Sequence, residues 1–259
     1  MRHDNDWRPD YSDVREPSDD DIDRIVKEAK LSESELLADD RDDVTYWFAN
    51  HLIVDHWPVV DGVFRQAGPT QMHIEHTSVV NKPGYRIHNP TKLAAMQEII
   101  EDLLTKDIIA AANGPCSSPA LLVPKKHTPG ETNIHKKWRF VSDYRALNAV
   151  TLTDNYKPPP IDMLLSATAG SSVYSFLGLE KGFWQLTITE DSIPATTFAI
   201  PGIGVYQFKR MVMGLKNSSA VFQRHIDRAL VGLLFRSCVA FIDDICIRQR
   251  SKSCELGLE

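Results

Sequence analysis

Apolar positions along the chain alternate between a helical and a strand-like period, and the changes of period divide it into elements. After Asn89-Pro90, an N-cap followed by proline at the first helical position, Leu93, Met96, Ile99, Ile100, Leu103 and Leu104 recur at helical spacing. The spacing predicts an amphipathic helix ending near Lys106. The stretch "NGPCSSPALLVPKK" breaks that helix and leads into a strand from Ala120 to Val123. A loop containing "HTPGE" follows, and Trp138 to Tyr144 returns as a second strand, so the pair forms a hairpin with a lysine-bearing tip. Tyr156-Lys-Pro-Pro-Pro160 reads as a rigid extended connector and Ile161 to Thr168 as a short helix. Strands are predicted at Val173 to Leu179, Trp184 to Thr189, Thr196 to Ile200 and Gly204 to Arg210. Asn217 or Ser218 then caps a helix that places Phe222, Ile226, Ala229, Leu230 and Leu233 on one face. A hairpin from Val239 to Ile247 ends the pattern. Before Asn89, stretches such as "HLIVDHW" are strand-like without a sustained period, and no internal repeat is present.

Composition adds a boundary. The 259 residues are 42% apolar, enough for a core, yet no run approaches the roughly 18 apolar residues of a membrane span. The N-terminal Met1-Arg-His-Asp-Asn-Asp-Trp lacks the apolar centre of a signal peptide, so an intracellular location, cytoplasmic or nuclear, and no membrane partner are expected. Cys116, Cys238, Cys246 and Cys254 show no CxxC spacing and read as reduced thiols. The net charge of -6 averages two unlike regions: residues 1–43 hold 16 Asp/Glu against 7 Lys/Arg, and the remainder holds 19 against 22. The head, with "PSDDDIDR" and "LADDRDD", is expected to be largely disordered, with one short helix at most. The mildly basic body is compatible with a polyanionic partner.

The candidate chemistry lies in "VAFIDDICI", residues 239–247. Two adjacent carboxylates are a poor choice for a tight turn, where Asn-Gly or Asp-Gly fits better. A divalent cation that offsets the repulsion explains such a pair, and solvated turn aspartates are the commoner alternative when the pair stands alone. The "HIEH" at His73 to His76 lacks a third ligand nearby and reads as a strand with polar alternation.

The pair does not stand alone. Upstream and in order come "KKWRFVSDYRALN", "YSFLGLEKGFWQLTI" and "ATTFAIPGIGVYQFKRMVMGLKNSSAVFQR". Together with "FIDDICI" these blocks resemble the fingers and palm of reverse transcriptases, above all those of gypsy-type LTR retrotransposons and their retroviral relatives. The resemblance covers about Gly84 to Ile247. It implies an α+β fold, an antiparallel sheet packed on helices, with an acidic head at 1–43, a linker at 44–90, fingers and palm at 91–247 and a tail at 248–259. It further implies RNA- or DNA-templated addition of deoxynucleotides with two Mg²⁺ ions about 4 Å apart, and so primer-template and dNTP as partners.

By the same resemblance Asp243 and Asp244 match the metal-binding hairpin pair. Lys125 or Lys126 at the fingertip and Arg139 look like the cations that hold the incoming triphosphate. Phe183 stands where the family places an aromatic gate beneath the sugar, with a buried core phenylalanine as the alternative. Met213 and Gly214 fall among the nucleotide-binding positions, and Leu215, Asn217 and Gln223 match the block that supports template and nucleotide.

One position departs from the family pattern where it matters most. The strand that normally reads Leu-Asp-Leu, with the aspartate bridging both metals, here reads Leu177-Gly178-Leu179. Loss even of an outer partner of a metal site typically costs about 10 to 100-fold, so loss of a bridging ligand is expected to cost more. Glu180 starts on the same strand face as Gly178 but about 6.5 Å further along, too far for its extra methylene to recover. Val212-Met213 replaces the family's Pro-Phe, and Ser218-Ser219 its Ala-Pro. Thumb, primer grip, RNase H and protease sequences are not recognised in the chain, and the palm sheet is expected to leave an apolar face uncovered. The reading is a reverse-transcriptase fragment with weak or absent polymerase activity. The alternatives are a non-catalytic nucleic-acid-binding module, an interaction protein acting through the acidic head toward an unspecified dimer partner, or a decayed gene product.

Overall fold

Asn89 opens the first helix as its sequence requires: its side-chain oxygen accepts from the backbone N–H groups of Thr91 at 2.9 Å and Lys92 at 3.3 Å. The helix, α1, spans Pro90–Thr105 and buries Ala95, Met96, Ile99, Ile100 and Leu103, whereas Leu104 stays exposed. A computed structural model of the protein describes residues 59–60, 63–64, 70–82, 84, 89–126, 133–179 and 181–249. The chain divides into two units, Met1–Trp57 and Pro58–Glu259, and every described residue lies in the second. The acidic head, the "HLIVDHW" stretch, the "HTPGE" loop, Glu180, Cys254 and the last ten residues fall outside the described residues.

Twelve strands and five helices are described. β1 (Val59–Val60) and β2 (Val63–Phe64) pair with each other, and β3 (Gln71–Met72) pairs in parallel with β8 (Thr187–Ile188). A five-stranded sheet takes the order β4 (Ile109–Ala111), β10 (Gly204–Phe208), β9 (Phe198–Ile200), β5 (Ser118–Pro124), β6 (Trp138–Ser142). Its pairs are antiparallel except β5 with β9. A three-stranded antiparallel sheet has the order β11 (Cys238–Phe241), β12 (Asp244–Gln249), β7 (Val173–Gly178). The remaining helices are α2 (Ile134–Lys137), α3 (Arg145–Val150), α4 (Ile161–Thr168) and α5 (Ser218–Ala229). Both α4 and α5 pack against β11. The fold is α+β, as the sequence implied.

Aromatic residues fill the larger sheet. Phe198 contacts Phe140, Tyr206 and Phe208 with ring centroids 5.1–5.9 Å apart. Tyr144, fully buried, donates its hydroxyl to the Thr196 carbonyl at 2.8 Å, and burial drives its phenol far above the usual range.

The strand predicted at Trp184 to Thr189 is corrected. Gly182–Gln185 forms a 3₁₀ turn, and only Thr187 and Ile188 are extended. The period of two through Trp184, Leu186 and Ile188 is genuine but local. Its beginning is overridden because Gly182 packs against Phe222, where a Cβ would come within 2.7 Å of the ring, and Lys181 takes a φ of 52° to bring it there. The strand predicted from Thr196 begins at Phe198, since Ile193–Thr196 winds as a second 3₁₀ turn with Pro194 near its start.

The cap of α5 differs as well. Asn217 occupies the N-cap without a capping bond: its Nδ2 donates to the Leu152 carbonyl at 2.7 Å and its Oδ1 accepts from the Asp154 N–H at 3.0 Å. Ser218 donates to the Val212 carbonyl at 2.7 Å. Tertiary partners claimed both candidate caps.

Candidate active site

The carboxylate hairpin is held from beneath by one amide. β11 and β12 are joined by the two-residue turn Ile242-Asp243, with Phe241 opposite Asp244. Ile242 has a φ of 57°, a region costly for a β-branched residue, of order 1–3 kcal/mol. Gln223 on α5, fully buried, supports it: its Oε1 accepts from the Ile242 N–H at 2.7 Å, while its Nε2 donates to the Ala240 carbonyl at 3.3 Å and to Asp227 Oδ1 at 2.8 Å. The turn is tied to β7 too, because the Asp243 carbonyl accepts from the Leu179 N–H at 2.9 Å.

Register then decides what faces what. Asp244 pairs with Gly178, Cys246 with Phe176 and Arg248 with Tyr174, so Gly178 shares its face of β7 with Tyr174 and Phe176. Asp244 is exposed and Asp243 half-buried. A Cβ at Gly178 would meet only Asp244 Oδ1, at 3.8 Å, so the space on that face beside Asp244 is open. Among the described residues no group of three or more metal-ligating side chains forms. Two hard carboxylates suit a single divalent cation, but the residues present do not fit a two-ion site.

The remaining predicted residues fall into three groups. Phe183 lies in the 3₁₀ turn, 7% exposed, its ring stacked on Phe222 at 4.9 Å and 18°. Met213 is 65% exposed beside Gly214, whose φ of 94° demands glycine, and Leu215 is buried beneath. Lys125 and Lys126 follow β5, and Arg139 lies opposite Val123 in the β5–β6 ladder. Lys126 and Arg139 are exposed and Lys125 half-exposed. The three cations thus share one end of a hairpin in the larger sheet, whereas the carboxylates belong to the smaller one.

Two groups of supporting residues were missed from the sequence. Asn148 on α3 brackets the Met213–Lys216 loop, donating to the Gly214 carbonyl at 2.7 Å and accepting from the Lys216 N–H at 2.8 Å. A lone Asn inside "YRALN" carries no signal for that. The second group clamps the connector to α5. Arg224 donates to both Asp154 oxygens at 2.7 Å and lies 4.8 Å over the Tyr156 ring, and the Tyr156 hydroxyl donates to Asp227 Oδ2. Burial works against the Asp154 carboxylate, but the Arg224 bonds and the Tyr156 N–H outweigh it and hold its pKa below the ordinary value. Burial and Asp227 push the Tyr156 phenol up to about 12.

"HIEH" keeps the polar alternation but not the strand: β3 ends at Met72, and His76 makes only an isolated bridge with Thr151. Met72 and Ile74 are buried and His73 and Glu75 exposed, with His73 Nδ1 3.1 Å from Ser192 Oγ, 3.3 Å from Thr189 Oγ1 and 3.4 Å from Asp191 Oδ2.

Comparison with known proteins adds the following. Residues 123–256 match the family model of the reverse transcriptase (RNA-dependent DNA polymerase). The chain is 32% identical over 230 residues to the retrovirus-related Pol polyprotein from transposon opus of Drosophila melanogaster, covering 86% of this chain and 22% of that protein. It is 36% identical over 183 residues to the corresponding polyprotein from transposon 297 of the same organism, covering 69% and 17%. The enzymatic polyprotein of Soybean chlorotic mottle virus is 33% identical over 174 residues, covering 67% and 24%. The chain therefore spans about a fifth of the length of the curated relatives it matches. Among solved structures, a Prototype Foamy Virus protease-reverse transcriptase superposes with a TM-score of 0.69 at 22% identity, covering 92% of this chain and 30% of that one. The foamy viral enzyme in complex with an RNA/DNA hybrid gives 0.68 at 21% identity, covering 96% and 32%.

Proposed function

We propose, from the premise that the chain belongs to the reverse transcriptase (RNA-dependent DNA polymerase) family, that it is the fingers-and-palm portion of a retrotransposon polymerase whose nucleotidyl transfer is crippled at Gly178. The observation that carries the reading is the pairing of Gly178 with Asp244, with room for a carboxylate between them. Asp243 and Asp244 hold one divalent cation weakly. When bound, such an ion supplies charge neutralisation at the transferring phosphoryl group. Lys125, Lys126 and Arg139 attract the triphosphate and the backbone of a primer-template, and Met213 and Gly214 line the approach to the nascent base pair. Phe183, stacked on Phe222, forms the floor beneath the sugar, where an aromatic ring rejects a 2'-hydroxyl by contact.

Primer extension on a poly(rA)·oligo(dT) template with Mg²⁺ or Mn²⁺ tests the reading. The chain as it stands is expected to extend primer poorly or not at all, and Gly178→Asp to extend it, with Asp243→Asn abolishing the gain. Extension by the native chain that disappears with Asp243→Asn overturns the assignment of Gly178 as the lesion. Absence of extension in both forms removes the catalytic reading and leaves nucleic-acid binding, measured by salt-dependent mobility shifts.

A further inference from the structure

We infer that Asp227 and Tyr156 are positioning residues for the carboxylate hairpin: they fix the Gln223 side-chain amide in the one orientation that caps the strained turn at Ile242. The inference deepens the function proposed above, since the hairpin it stabilises is the one that carries Asp243 and Asp244.

A glutamine amide has two ends of equal size and opposite hydrogen-bonding character. In the observed orientation Nε2 donates to Asp227 Oδ1 and the Ala240 carbonyl, and Oε1 is left to accept from Ile242. Rotated by 180°, the oxygen would face a carboxylate and a carbonyl, and the NH₂ would face the Ile242 N–H. All three contacts would become repulsive. The Ala240 contact alone is long at 3.3 Å, so Asp227 supplies most of the discrimination.

Asp227 is itself oriented. Its Oδ2 accepts from Tyr156, which leaves Oδ1 directed at Gln223. Because burial and Asp227 raise the phenol to about 12, Tyr156 remains a donor throughout the neutral range. Arg224 stacks over the Tyr156 ring and binds Asp154 through both oxygens, and Asp154 Oδ1 accepts from the Tyr156 N–H at 2.8 Å. The proline run Pro158-Pro159-Pro160 follows after Lys157 and stiffens the segment. The path from the connector to the turn amide therefore runs Tyr156 hydroxyl, Asp227 carboxylate, Gln223 amide, Ile242 N–H. Each link is one hydrogen bond.

The experiment is residue-resolved amide hydrogen exchange on the whole chain with ¹⁵N-isoleucine, comparing native protein with Tyr156→Phe and Asp227→Asn. The expected result is at least tenfold faster exchange at the Ile242 amide in both variants, with Ile245 and Ile247 of the same hairpin changed less than threefold. Unchanged Ile242 exchange overturns the inference, and so does acceleration shared equally by all three isoleucines, which marks a general loss of stability. Tyr156→Phe removes a single oxygen and keeps the ring under Arg224, so it decides the matter if Asp227→Asn does not fold. In a Gly178→Asp background that extends primer, Tyr156→Phe is expected to lower kcat at least fivefold with the dNTP KM changed less than twofold. A change confined to KM counts against positioning of the carboxylates. If that background extends nothing, the polymerase reading fails by itself, and the exchange data still judge the hydrogen-bond path.

Discussion

Gly178 sits directly across the β7–β12 ladder from Asp244, and a side chain there would begin 3.8 Å from Asp244 Oδ1. A carboxylate at residue 178 adds a third negative charge at one tip, repulsive without a cation and favourable with one. Gly178→Asp is therefore expected to melt a few degrees below the native chain in EDTA and to recover or exceed the native Tm in 10 mM Mg²⁺. Thermal melts in the two buffers read the difference. Equal Mg²⁺ shifts for the two proteins would show that residue 178 does not reach the cation.

Gln223→Leu keeps bulk in the core but leaves the Ile242 N–H and the Asp227 carboxylate without their buried partner. The expected cost is about 2–4 kcal/mol, the range for a broken buried polar network. Urea denaturation measures it, and a loss under about 1 kcal/mol would mean that water replaces the amide.

Asn148→Ala removes both bonds that bracket the Met213–Lys216 loop. A loss of about 1–2 kcal/mol follows from two hydrogen bonds on a partly exposed side chain. Trypsin is expected to cut after Lys216 several-fold faster than in the native chain, and mass spectrometry of the early fragments locates the cut.

What these two amides hold was invisible in the sequence for a physical reason, although Gln223 itself stood among the positions the resemblance singled out. A hydrophobic period reports which face of an element is buried, and it placed α1, the β5–β6 hairpin, β7, the carboxylate turn and the buried face of α5 through Ile226; α5 ends at Ala229, so Leu233 lies past the helix on which it was expected. Side-chain amides such as Asn148 and Gln223 work through partners far along the chain, and nothing local marks which backbone group they will meet. The same cause undid the predicted cap of α5, where Asn217 was drawn to Leu152 and Asp154. At Trp184 the local alternation was read over too long a stretch, because the close approach of Gly182 to Phe222 is likewise a tertiary matter. The carboxylate pair, the glycine across from it and the family were legible because four ordered blocks carry them together. The clamp on Tyr156 and Asp227 was not, since each residue alone is unremarkable in composition.

Acid should loosen that clamp. The Asp154 pKa lies below its ordinary 3.8 in the folded protein, so its contribution is fully present above the unfolded value and is lost as pH falls through the folded one. The native chain is expected to lose stability on descending below about pH 4, and Asp154→Asn to lose less over the same interval. Urea midpoints from pH 6 down to pH 3 provide the comparison, with parallel curves as the contrary outcome.

Phe176 is 77% exposed and Tyr174 lies beside it on the outer face of β7. Phe176→Ser should leave stability within about 0.5 kcal/mol and reduce self-association, because it removes apolar surface without opening a cavity. Light scattering across a concentration series reads the effect, and an unchanged apparent mass argues that the patch is inert.

The β7–β12 pairing also sets a clock. Val173 pairs with Gln249, which is synthesised roughly 75 residues later; at ribosomal rates of about 5–20 residues per second the two are separated by roughly 4–15 s. Until the second strand emerges, β7 has neither its ladder partner nor the turn that docks on Leu179. The nascent chain therefore carries an unpaired strand bearing Phe176 and Tyr174 throughout the synthesis of residues 179–243, and slow codons between Gly178 and Asp244 would prolong that interval and lower the yield of folded protein.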